Sequence, residues 1–143
     1  MKPSLQWLIL IFSAGLAACA LHPRTSPDPL VGTWVFDKAA TKTEIQKTTG
    51  YPDEWMDHIM KAYSPAVFTF SNGRYTMSLP GKKVTGRYSL AKQTANSYRM
   101  TMTCSDHPEG DAGLLIMREQ SFSFQSDTPL VTGAREIYRK KAE

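Results

Sequence analysis

The chain reads as mainly β: a small antiparallel meander β-barrel with a short helical insertion between its first and second strands. Three observations predict this. From Ala66 onward, apolar and polar residues alternate with a period of two through six successive segments. Turn signals separate them, Asn72-Gly73 and Pro80-Gly81 foremost. A single stripe of helical period, Trp55, Met56, Ile59, Met60 and Tyr63, falls between the first strand and the rest.

Leu30-Val31-Gly32-Thr33-Trp34-Val35-Phe36-Asp37 opens the domain as a short strand. Thr41 and Glu44 then have capping-box spacing, and Gly50 is a helix stop. Pro52 suits a first helical position, with Asp53 and Glu54 favourable at that positive end, and Ser64-Pro65 closes the second helix. Val67 to Phe70 and Arg74 to Leu79 flank the Asn72-Gly73 hairpin turn. Val84 to Leu90 and Tyr98 to Cys104 follow, then Leu114 to Phe124 and Leu130 to Arg139. Each strand has one apolar and one polar face. Such a sheet must pack a helix or close on itself, and closure also removes its exposed edges. A barrel in which the first strand pairs with the last is therefore expected.

Gly32-Thr33-Trp34 on that first strand resembles the G-x-W signature of the calycins, the superfamily of the lipocalins and the fatty-acid-binding proteins. The helical pair is similar to the portal lid of the latter. The resemblance implies that Trp34 plugs one barrel end and packs against a cation from the last strand, a role open to Arg135 or Arg139. The seven strands counted here are fewer than lipocalins or fatty-acid-binding proteins have, which implies a smaller interior.

The 143 residues allow one ordinary domain. With 41% hydrophobic and 21% charged residues the composition is globular. A formal charge of +4 lacks the dense basic face that phosphate neutralisation requires, so no nucleic-acid partner is expected. Two Cys make no disulfide scaffold, and their spacing makes no zinc site.

The N-terminus carries an address. Lys2 is followed by the apolar run Trp7 to Phe12, which with Ser13 to Leu16 makes an h-region of about ten residues, too short for the roughly 20 that span a bilayer. It ends in Leu16-Ala17-Ala18-Cys19, which resembles the bacterial lipobox. The resemblance implies diacylglycerylation of the Cys19 thiol, cleavage before it and acylation of the new amine, with two or three palmitate-class chains as a firm anchor. Ala20 rather than Asp after the Cys implies the outer membrane, with the domain facing the periplasm. The alternative is an ordinary secretory signal cut near Ala18 or Ala20, with Cys19 free. The expected organisation is a signal peptide at 1–18, a lipidated Cys and Pro-rich flexible tether at 19–29, and the barrel at 30–141.

No Ser–His–Asp arrangement, paired-carboxylate motif or phosphate-binding Gly loop is present, so the expectation is a non-enzyme without cofactor or metal. Cys104 has no base beside it and reads as a structural thiol. The run Ser105-Asp106-His107-Pro108-Glu109-Gly110-Asp111 reads as a solvated hairpin loop without the EF-hand pattern. His58 is off the apolar stripe, within reach of Glu54 one turn away.

One inward face would carry Phe68, Phe70, Tyr75, Met77, Tyr88, Met100, Met102, Ile116 and Phe122, either as packed core or as the wall of a ligand site. Arg118 and Gln120 fall on the face of Ile116 and Phe122. A bulge would turn Arg118 outward, Glu136 would pair with it, or a ligand head group would meet it. Phe68, Met77, Tyr88, Met102 and Arg118 are the candidate ligand-binding residues. The expected function is non-enzymatic binding of an apolar or amphipathic small molecule. The alternative is a solid barrel that recognises an envelope protein.

Overall fold

A computed structural model of the chain describes residues 27–129 and 131–143. Cys19 and the remainder of the expected signal and lipobox lie outside the described residues. Eight antiparallel strands close into a barrel in simple meander order. They are β1 (Gly32–Phe36), β2 (Val67–Ser71), β3 (Arg74–Leu79), β4 (Lys82–Lys92), β5 (Ser97–Cys104), β6 (His107–Met117), β7 (Ser121–Ser126) and β8 (Glu136–Lys140). Two helices, α1 (Lys38–Thr49) and α2 (Asp53–Met60), lie between β1 and β2. The mainly β fold class, the closure of first strand on last and the place of the helical insertion are as the sequence predicts.

The strand count is eight rather than seven, and the difference lies in one stretch. The expected single strand from Leu114 to Phe124 is a hairpin: Arg118 N–H donates to Ser121 O at 2.8 Å, and Met117 pairs with Phe122. Directly opposed residues share a face. Leu115, fully buried, and Met117 therefore face inward with Phe122 and Phe124, while Ile116, paired with Ser123, takes the other face. Arg118 and Gln120 are exposed turn residues, so Arg118 is not a buried charge in need of a partner. His107 to Asp111, expected in a loop, begin β6, and only Ser105-Asp106 turn the chain.

α1 is capped by Asp37, whose Oδ1 accepts from Ala40 N–H at 2.9 Å, and not by Thr41. Thr41 is fully buried instead, and its Oγ1 accepts the Ile137 N–H at 2.9 Å, fastening α1 to β8. Gly50 ends the helix in the left-handed region as expected. In α2 the stripe buries Met56 and Met60, with Tyr63 just beyond, but leaves Trp55 64% exposed. No helix among the described residues is long and apolar enough to cross a membrane.

One end of the barrel is shut. Trp34 is 1% exposed, and its Nε1–H donates to Leu30 O at 2.7 Å. Phe122 meets its ring edge-on at 5.1 Å. The cation over the indole is Lys140, at 5.8 Å, rather than Arg135 or Arg139. Lys140 is the residue directly across from Trp34, whereas Arg139 pairs with Val35, points to the other face and binds Asp37. Arg135 donates to Gln125 Oε1 at 3.4 Å. Asp28 belongs to this closed end too: it accepts from Leu30 N–H at 2.8 Å and from the Tyr88 hydroxyl. The fold thus begins slightly ahead of the expected boundary at residue 30.

Candidate functional site

The opposite end, from which α1 and α2 depart and return, leads into a cavity of about 310 Å³. An eight-stranded barrel has an interior just wide enough for side chains or for one small ligand. Here the side chains do not fill it. The floor is aromatic: Phe122 packs on both Phe70 and Tyr138, stacked on the latter at 4.8 Å. Phe68 adds edge-to-face contact with Tyr138 at 5.4 Å. Met77 on β3 and Met100 and Met102 on β5 supply the deformable part of the wall.

The polar groups of the cavity are gathered by a bulge. Met102 pairs with Asp111 but Cys104 pairs with His107, so β6 carries extra residues opposite Thr103. Gly110 makes this possible. It sits at φ 76°, and a Cβ there would lie 2.4 Å from Met102 O. Asp111 and His107 consequently line the cavity with Cys104, and Glu136 joins them from the first position of β8.

The Tyr138 hydroxyl donates to Glu136 Oε2 at 2.7 Å, and the Ser126 hydroxyl donates to Asp111 Oδ1 at 2.8 Å. Burial pushes the Glu136 carboxyl above the usual range, the Tyr138 hydrogen bond opposes this, and the Asp111 charge adds to the rise. Tyr138 is itself raised, by burial first and then by the Glu136 charge. Tyr75 is pushed up to about 12, chiefly by burial and then by the Cys104 thiol beside it.

Of the five candidate ligand-binding residues, Phe68, Met77 and Met102 line this cavity. Tyr88 does not. It is buried at the closed end, edge-on to Phe70 at 4.9 Å, with its hydroxyl held by Asp28. Arg118 is also absent: it borders an outer groove beside α1 with Gln120, Lys47 and Arg139. The structure therefore removes the one cation expected to meet a ligand head group and supplies two carboxylates in its place. Glu136 and Tyr138 share a face of the last strand, and a Glu on a face with Tyr was the available signal. The expected start of that strand at Leu130 blurred its register.

The other candidates stay apart. Asp106 faces Lys82 at 3.3 Å and Glu109 faces His107 at 3.6 Å. No group of three or more His, Cys, Asp or Glu among the described residues is arranged to hold a metal ion. His58 borders a surface cleft with Tyr51, Glu54, Trp55 and Ile59. No protein-family model and no curated protein matches this chain.

Proposed function

We propose that this protein is a bacterial outer-membrane lipoprotein, anchored through acylated Cys19, whose periplasmic barrel binds a small apolar or amphipathic molecule without transforming it. The observation that carries the binding reading is the 310 Å³ cavity behind an aromatic and methionine wall. At roughly 30 Å³ per water-sized group it has room for about ten such groups. That suits a single ring or a short chain rather than a long fatty acid. The Leu16-Ala17-Ala18-Cys19 sequence supports the anchor. The chain also enters the barrel at its closed end, so a tether there leaves the mouth facing away from its attachment. Native mass spectrometry after gentle purification should find a co-purifying small mass, and a hydrophobic fluorescent probe should be taken up. Absence of both would refute binding inside the barrel.

A second reading, recognition of an envelope protein by the helical insertion, is favoured by one observation. Trp55 is 64% exposed and Tyr51 38%, with their rings 6.0 Å apart. Replacing Trp55 with Ala should abolish capture of a partner in a pull-down if this surface is the contact, and should leave probe uptake intact.

A further inference from the structure

The charge inside the cavity selects among small molecules. We propose that the ligand is a small protonated amine with an apolar body, its ammonium group held between Glu136 and Asp111 and its body against Phe68, Phe122 and Met77. This rests on the reading that the barrel takes a small molecule.

No Lys or Arg lines the cavity, and its one basic side chain, His107, faces Glu109 at 3.6 Å, while Asp111 and Glu136 both line it. Neither carboxylate forms an ion pair with any described residue. Each accepts one hydroxyl hydrogen bond, from Ser126 and Tyr138 respectively, through a single oxygen. A carboxylate in apolar surroundings is costly unless a charge or several donors meet it. Two of them lining one cavity, with the Asp111 charge acting on Glu136, make a site whose complement is a cation with N–H donors. The walls favour the same ligand. Tyr138, Phe124 and Phe68 line the cavity, and aromatic rings attract ammonium groups. A carboxylate-headed ligand would meet like charge on entry.

The head group is separable from the body by experiment. The full chain is titrated calorimetrically near pH 7 with three probes of one body: 2-phenylethylammonium, 2-phenylethanol and 3-phenylpropionate. The ammonium probe should bind at least about tenfold more tightly than the carboxylate. Glu136→Gln and Asp111→Asn should each shrink that ratio toward one. Thermal melting at the same pH confirms that both isosteric variants are folded. Equal affinity for the ammonium and carboxylate probes, or a preference that survives in both variants, overturns the amine assignment and leaves small-molecule binding standing. Failure of all three probes to bind overturns the binding reading beneath it.

Discussion

Replacing Trp34 with Phe keeps an aromatic ring at the closed end of the barrel and deletes the indole N–H. That N–H meets Leu30 O at 2.7 Å between two residues that are 1% and 0% exposed. Water does not replace a donor lost there, so the carbonyl is left buried and unsatisfied, at a cost of about 1–3 kcal/mol. The smaller ring gives up roughly 40 Å² of buried apolar area, about 1 kcal/mol at 25 cal/mol per Å². Lys140, 5.8 Å above the indole, loses part of a contact worth about 0.5–1 kcal/mol at an exposed site. The expected loss is about 3 kcal/mol, or a fall in Tm of about 10 °C for a domain of this size. Thermal unfolding should be followed by far-UV circular dichroism, because exposed Trp55 complicates fluorescence. Lys140→Met, as a control, should cost no more than about 1 kcal/mol. A Tm within about 2 °C of the parent for Trp34→Phe would refute the plug as described.

Glu136→Gln carries a signed pH dependence. The folded-state carboxyl lies above its ordinary value of 4.5, so the native state holds the proton more tightly than the unfolded chain. The parent then loses stability as pH rises from about 4.5 through the folded-state pKa, and the variant escapes that loss. The variant should melt higher than the parent near pH 7.5, with the gap closing toward pH 4, since Tyr138, Asp111 and Tyr63 face this position in both proteins; a gap constant with pH contradicts this. Cys104 lines the cavity and is half-buried. Saturating 2-phenylethanol should slow its alkylation by iodoacetamide, and an unchanged rate would separate the thiol from the ligand site. Cys19→Ser should accumulate unprocessed precursor detectable by its gel mobility, whereas normal maturation would remove the lipoprotein assignment.

The fold was legible wherever a turn carried its own chemistry. Asn72 and Gly73 both have positive φ, at 50° and 75°, and Gly81 follows Pro80 at 73°, so these hairpins are marked in the residues themselves. The turn through Arg118, Glu119 and Gln120 has no Gly, Pro or Asn, and alternation alone runs straight through it. Read as one strand, the stretch puts Ile116 inside in place of Leu115 and gives Arg118 the guise of a buried charge. The mismatch of Arg118 and Gln120 with an apolar face was itself the sign of a turn. Register was the second loss. That a last-strand cation sits over Trp34 follows from the family resemblance, but choosing Lys140 over Arg139 requires knowing which residue lies directly opposite. The acidic cavity was hidden for a related reason, since a bulge at Gly110 and a late start to β8 put Asp111 and Glu136 in the lining of one cavity.

Methyl NMR tests at the cavity wall itself whether the barrel interior receives a ligand. With the methionine methyls labelled with ¹³C, 2-phenylethanol should give nuclear Overhauser contacts from its ring to Met77, Met100 and Met102, which line the cavity. Met56 and Met60, buried on α2 and not among the lining residues, should give none. Contacts to the three cavity methyls alone are the predicted result; saturating probe with no contact to any of the three would contradict a ligand-binding interior.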